Sequence, residues 1–218
     1  MDGILVIDKP QGITSHDCVK KIRKIFGVKK VGHAGTLDPL ATGILVVLLG
    51  KATRKFLDFS GFDKEYEATL TLGITTDTGD IQGKIIKTLP FDHVRRENVL
   101  QAFNNFVGVI EQIPPMVSAL KYHGEKLYQL ARRGIVVERR PRKICIHSLT
   151  LTEYVPPELN FKVKCSKGTY IRTLAEDIGT MLGCGGCISS IRRIGLGPFK
   201  IEEAIKLEEI NASHLRHQ

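Results

Sequence analysis

Six consecutive apolar residues, ILVVLL from Ile44 to Leu49, lie between two glycines. The run is too short for an independent helix and rich in β-branched side chains, so it reads as a strand buried on both faces. EYEATLTLGIT behaves differently. There Tyr66, Ala68, Leu70, Leu72 and Ile74 alternate with Glu65, Glu67, Thr69 and Thr71, which gives that strand one wet face. LNFKVKC alternates in the same way, and ILVIDKP reads as a short strand closed by Pro10. Helical spacing appears in three further stretches. In TSHDCVKKIRKIFG, Thr14 and Asp17 suit a capping box, Val19, Ile22 and Phe26 share a face, and Gly27 can end the helix. RENVLQAFNNFVG is a second, and YIRTLAEDIGTMLG a third, with Ile171, Leu174, Ala175, Ile178, Met181 and Leu182 at helical intervals. Tyr170 and Arg172 therefore fall at a strand-to-helix junction. Strands and helices alternate irregularly and no G-x-G-x-x-G is present. That argues against a doubly wound nucleotide-binding sheet and for an α+β fold, with a mostly antiparallel mixed central sheet flanked by helices.

No repeat, low-complexity tract or linker divides the sequence, so residues 1–218 read as one domain with an insertion at about 115–143. The insertion, a turn leading into a short helix, is where the charge collects. From Lys121 to Lys143 eight Lys and Arg face only Glu125 and Glu138, which is two thirds of the chain's net +9. Such an excess points to a polyanionic partner, the alternative for the segment alone being a solvated basic face. Five cysteines without regular spacing speak against a disulfide framework and for a reducing compartment. Cys184 and Cys187 form a C-x-x-C with no second pair to complete a zinc site, so no metal is expected. MDGILVIDKP lacks the basic leader and long apolar stretch of a signal peptide, and no apolar run approaches the ~20 residues that span a bilayer. A soluble, cytoplasmic monomer without membrane contact is expected.

GHAGTLDPLATG, residues 32–43, sets a single carboxylate, Asp38, in a Gly-rich turn directly before the buried run. Taken alone, an Asp before Pro in such a turn caps local N–H groups. By the same isolated reading His33 is a surface polar residue and Tyr66 a core aromatic. Arg172 would be a surface residue on the first turn of a helix, where the dipole disfavours a cation. TTDTGD suggests an acidic metal site, but Asp77 and Asp80 lack the later Glu of a calcium loop, and a turn is the better reading.

The order of the motifs changes this weighting. DKPQGITS, GHAGTLDPLATGIL, KEYEATLTLGITTDTGD, PPMVSALKYHGEKLYQLARRG, GTYIRTLAEDIG and IRRIGLGPF follow one another as in the TruB family of bacterial tRNA pseudouridine-55 synthases, which the chain resembles along nearly its whole length. The resemblance implies the pseudouridine-synthase fold and an enzyme, working without a cofactor, that isomerises the uridine at position 55 in the T loop of tRNA. It implies that Asp38 is the essential catalytic aspartate, that Arg172 is the arginine that pairs with it, and that Tyr66 stacks on the target base and is a candidate general base. Tyr170 is implied as a pocket wall. Ile191 stands where the family commonly has a Leu packed against the base, so the apolar wall is kept with altered branching. His33 corresponds to the histidine that fills the space beneath the stack once the nucleotide is flipped out, and Lys9 and Lys121 to phosphate or structural contacts near the pocket. The basic segment resembles the mobile insertion that closes over the RNA loop. Gly32, Gly35 and Gly43 are then expected where backbone runs close to RNA or takes positive φ. Most bacterial members carry a C-terminal RNA-binding domain of the PUA type, and none is expected within these residues. A carboxylate can add to the substrate as a nucleophile or assist removal of the 2′ proton, and the residues do not choose between attack at C1′, attack at C6 and a glycal route. Two competing classes fit a basic chain of this kind: a non-catalytic RNA-binding or RNA-folding protein, and a metal-dependent RNA hydrolase using the acidic residues.

Overall fold

Each residue from Ile44 to Leu49 is at most 1% exposed in the computed structural model, which describes residues 1–216. The run is a strand, and both of its faces are covered. On one, Ile44, Val46 and Leu48 pack with Ile4, Val6, Ala34, Ala52, Phe59 and Leu196. On the other, Leu45 and Val47 stand beside Ile7 and Leu5 of the neighbouring strand. At about 1.5–3 kcal/mol per buried aliphatic side chain, these six residues contribute on the order of 10 kcal/mol, as large as the net stability of a typical domain. Covering this strand is therefore what the surrounding elements have to do.

In chain order the strands are β1 (Gly3–Lys9), β2 (Val31–Ala34), β3 (Thr42–Leu49), β4 (Lys64–Leu72), β5 (Ile74–Thr76), β6 (Ile85–Thr88), β7 (Gly108–Gln112), β8 (Lys121–Tyr122), β9 (Glu125–Lys126), β10 (Arg142–Val155), β11 (Glu158–Cys165), β12 (Gly186–Leu196), β13 (Phe199–Lys200) and β14 (Ile205–Lys206). The α-helices are α1 (Ser15–Phe26), α2 (Phe56–Ser60), α3 (Arg96–Phe106), α4 (Leu127–Arg132) and α5 (Ile171–Met181). Pairings are mostly antiparallel, with β1–β14 and β3–β12 parallel, so the architecture is α+β with mixed sheet. The chain divides into two compact units, Met1–Glu67 with the chain from Ile191 onward, and Ala68–Ser190.

In the first unit the strand order is β14-β1-β3-β12. β1 and β2 both run antiparallel to β3, whereas β12 meets the start of β3 in parallel, Arg192 beside Thr42 and Arg193 beside Gly43. β2 and β3 form a hairpin, and its connection, residues 35–41, carries Asp38. α1 forms as its sequence dictates. Thr14 caps it in a capping box with Asp17, its buried side is Cys18, Val19 and Ile22, and Gly27 ends it in the left-handed conformation.

In the second unit, to which β4 belongs from Ala68 onward, the order is β4-β11-β10-β7. Along β4 the alternation places Tyr66, Ala68, Leu70 and Leu72 inside. The strand stops at Leu72 because Gly73 takes φ 84°, so Ile74 does not continue the alternation but begins β5, which pairs with β6. α3 buries Val99, Ala102 and Phe103, the last edge-on to Phe161 of β11 at 5.8 Å. α5 buries Ile171, Leu174, Ala175 and Ile178. Ahead of α4, the expected turn of the insertion is a two-strand hairpin, β8 with β9. Among the described residues no helix is long and apolar enough to cross a membrane.

Candidate active site

Asp38 sits half-buried in the β2–β3 connection, and that connection is pinned at its middle and at its neck. In the middle, the Ser15 hydroxyl at the start of α1 accepts from Leu37 N at 2.8 Å and donates to the Leu37 carbonyl at 3.0 Å, and Gly12 N donates to the Pro39 carbonyl at 2.8 Å. At the neck, the Arg193 guanidinium donates from Nε to the Ile44 carbonyl at 2.8 Å and from Nη2 to the Gly35 carbonyl at 3.1 Å. Inside the loop, Ala41 N closes a turn onto the Asp38 carbonyl at 3.1 Å. Gly35 and Gly43 take φ 93° and 97°, a region that side chains strain to occupy. Gly32 does not, and lies in β2. At Gly43 what comes close is protein: a Cβ there would stand 2.2 Å from the Arg193 carbonyl oxygen. His33, expected in the turn, lies on β2 beside Val47, because the hairpin continues to Ala34 before the loop begins.

Lys9, Arg192 and Arg193 of this unit commit their charge to its framework. Lys9 has no exposed surface, and its ammonium donates to the Pro10 carbonyl at 2.8 Å and the Ile13 carbonyl at 2.7 Å. Of the phosphate and structural roles expected for Lys9, this geometry serves the structural one. Burial holds the ammonium below the ordinary lysine range, with Cys18 and Asp38 acting against that and Arg193 adding to it. Asp38 thus lies in the field of a buried cation. Arg192 grips the Asp8 carboxylate with two nitrogens, at 3.1 and 2.7 Å. Ile191 is half-buried beside it on β12, and Tyr66 is buried on β4.

In the second unit, Tyr170 is the residue from which α5 starts, and one amide fixes its position. Tyr170 N donates to Gln112 Oε1 at 2.8 Å, and Gln112 Nε2 donates back to the Tyr170 carbonyl at 3.0 Å. Gln112 is buried, and both ends of its amide are satisfied by the Tyr170 peptide groups. Arg172 is not on the surface: it is 5% exposed. Its guanidinium donates to the Thr78 carbonyl and, at 2.8 Å, to the Val117 carbonyl, and lies 3.8 Å from Asp80 Oδ2. Those contacts remove the helix-dipole objection, since a cation held by two carbonyls and a carboxylate does not depend on the first turn of α5. TTDTGD is a turn, and Asp80 within it accepts from the Thr78 hydroxyl at 2.9 Å and from Gln82 N at 3.1 Å. One helical turn beyond Arg172, the Glu176 carboxyl is pushed up to about 7 by burial, with Arg172 opposing. Lys121 is exposed on β8. Part of the insertion's charge is occupied internally, Lys126 and Arg132 lying 5.6 and 5.4 Å from the Tyr128 ring centre and Arg133 2.7 Å from Glu125.

Of the residues singled out in the sequence, Lys9, His33, Asp38, Tyr66 and Ile191 belong to the first unit, and Lys121, Tyr170 and Arg172 to the second. Four residues that build the geometry were given no such role in the sequence: Ser15, Gln112, Arg193 and Asp80, the last weighed only as a metal ligand. Three of them lie inside quoted motifs, whereas Gln112 carries no signal in a single sequence.

Residues 23–171 match the family described as TruB family pseudouridylate synthase (N terminal domain), and residues 172–218 the tRNA pseudouridylate synthase B C-terminal domain. Among curated relatives, the tRNA pseudouridine synthase B of Syntrophotalea carbinolica is 51% identical over 96% of this chain and 69% of its own length. That of Aromatoleum aromaticum is 49% identical over 97% of this chain and 68% of its own. Among solved structures, a Cbf5-Nop10-Gar1 complex contains a chain 35% identical, with a TM-score of 0.75, aligned over 95% of this chain and 53% of that one. An H/ACA RNP bound to a substrate RNA containing 2′-deoxyuridine contains another, 31% identical with a TM-score of 0.71, over 95% and 51%. The chain thus spans about two thirds of the length of these curated relatives and about half of these solved chains.

Proposed function

The chain belongs to the TruB family of pseudouridylate synthases, and from that membership we propose that it isomerises uridine to pseudouridine in tRNA, at position 55 of the T loop, with Asp38 as the catalytic carboxylate. The observation that carries the reading is the Asp38 loop, whose backbone is fixed by Ser15 at its centre and Arg193 at its neck. A carboxylate held this way needs no reorganisation when a nucleotide arrives.

The reaction breaks the C1′–N1 bond, turns the base and joins C1′ to C5; the C5 proton leaves, N1 gains one, and nothing is oxidised or reduced. Asp38 serves it either by adding to the substrate or by taking the 2′ proton. Arg172 is assigned, from the resemblance, as the family's arginine partner of the catalytic aspartate. Its own orientation is set by the Thr78 and Val117 carbonyls and by Asp80. Tyr66, Tyr170 and Ile191 are assigned to the pocket walls, His33 to the space left when the uridine is extruded, and Lys121 with the rest of the basic insertion to the RNA backbone. The enzyme acts as a cytoplasmic monomer on the T stem-loop.

The test is pseudouridine formation in a T stem-loop transcript with the wild-type chain and with Asp38→Asn. Product from the first and none from the second, with RNA binding retained in both, is the expected result. Binding without product from either chain sinks the reading in favour of an RNA-binding protein, and strand cleavage abolished by EDTA sinks it in favour of a hydrolase.

A further inference from the structure

Within the first unit, a concavity of about 460 Å³ opens beside the Asp38 loop, with Gly32, His33, Gly35, Thr53, Phe56 and Ser60 among its walls. Its size falls within the range of small-ligand sites, about 300–1,000 Å³. α2 contributes two aromatic rings that do different work. Phe59 is buried, with Phe62 edge-on at 5.8 Å and Phe199 stacked at 6.0 Å. Phe56 is 45% exposed and is one of the residues that line the pocket. Folding alone therefore leaves a large apolar face in water beside a cavity. At Gly32 the wall is bare backbone, where an added Cβ would meet only Thr53 Cγ2, at 4.0 Å.

The chain that supplies these walls is basic. Lys29 and Lys30 lead into β2, and Lys51, Arg54 and Lys55 occupy the turn before α2, all exposed. Among the acids near them, Asp2 is engaged by Lys51 at 4.0 Å through its ammonium and at 2.8 Å through its backbone N–H, and Asp58 follows in the chain. An aromatic residue in a largely apolar pocket, on chain segments that carry exposed cations, is the combination that takes a base by stacking and its phosphates by charge.

We propose that this pocket is a nucleobase subsite, in which an unpaired base of the RNA substrate, distinct from the uridine being isomerised, stacks on Phe56. The inference rests on the reading of the substrate as RNA, and its test is separable from that of the reaction. T stem-loop transcripts carrying 2-aminopurine at single loop positions are titrated with wild type, Phe56→Ala, Phe56→Leu, Phe56→Tyr and Leu57→Ala, while pseudouridine formation is followed in unlabelled RNA. With the wild type, quenching at one loop position other than the target is expected. Phe56→Ala and Phe56→Leu lose it and bind about tenfold more weakly, the scale of one base–aromatic stack. Phe56→Tyr keeps both, and Leu57→Ala, removing a side chain 77% exposed on the same helix, changes neither. Melting curves matching the wild type's separate loss of stacking from loss of fold. Quenching and affinity within twofold of wild type in Phe56→Ala overturn the subsite. So does a wild-type dimer in sedimentation that Phe56→Ala converts to monomer, since the pocket then faces a second copy. Failure of the reaction alone, with quenching intact, sinks the proposed activity and leaves the subsite standing.

Discussion

A guanidinium that is 1% exposed has almost no water to satisfy it, and Arg193 commits Nε and Nη2 to the Ile44 and Gly35 carbonyls, on either side of the Asp38 loop. The forked geometry matters, because a lysine ammonium is a single centre on a flexible stem and cannot bridge two carbonyls that face a planar fork. Arg193→Lys should leave one buried carbonyl without a donor, at a cost of about 1–3 kcal/mol. For a chain of this size that is a fall of roughly 3–10 °C in Tm. Because the loop positions the carboxylate, kcat for pseudouridine formation should fall by more than KM rises. An unchanged melting temperature and an unchanged kcat would show that the loop holds its shape without the clamp. Ser15 and Gln112 do comparable work in the first and second units, each satisfying both polar groups of one peptide segment.

At the level of elements, the Asp38 loop is bounded by two left-handed glycines whose reasons differ. At Gly35 an added Cβ would meet only the end of the Arg193 side chain, at 3.4 Å; at Gly43 it would meet Arg193 backbone at 2.2 Å, where β3 and β12 pair. Gly35→Ala should therefore cost only the conformational strain, about 1 kcal/mol, whereas Gly43→Ala must also push two strands apart and should cost more than about 2 kcal/mol. Urea midpoints decide it, and equal losses in the two variants would refute the steric argument. The same comparison shows what a sequence can and cannot disclose. α1 is legible end to end because its signals, Thr14, Asp17 and Gly27, act on their own neighbours. The inward side of β4, Tyr66 included, is legible because alternation is local too. β10 is not, since bulges after Ile146 and after Leu151 break the period of two that would have announced it. The partners of Arg172 and Arg193 are equally silent. Each is joined to carbonyls far away in the chain, and a backbone carbonyl leaves no mark in residue types. What the motif order supplied was the catalytic role proposed for Asp38; what it could not supply was the scaffold that holds it.

For the molecule as a whole, the net charge of +9 should appear as a salt effect on RNA binding. If four or five phosphates are neutralised, log K should fall with log salt at a slope of about −3 to −4.5, and a flat response would remove the basic insertion from the interface. Stability should depend on pH in a window set by buried carboxyls. Burial pushes Glu176 from its ordinary 4.5 to about 7, and raises Asp177 on the same helix. Asp177, Asp80, Arg172 and Arg139 all bear on the Glu176 carboxyl, Arg172 more than the others. A carboxyl whose pKa is higher folded than unfolded keeps its proton longer in the native state, so the native chain binds more protons than the unfolded one between pH 4.5 and about 7. The contribution of Glu176 to stability is then largest below 4.5, declines as pH rises through that window, and is constant above it. Asp17, held down to about 2 by its bonds to Thr14, works in the opposite sense but only at more acid pH. Glu176→Gln should therefore flatten the profile rather than shift it. Relative to the variant, the wild type should lose on the order of 1–2 kcal/mol between pH 5 and pH 8, the full shift being discounted for the solvent that reaches a half-buried group. Urea unfolding of both chains at the two pH values measures this directly, and parallel profiles would mean that Glu176 titrates in the native state as it does in water.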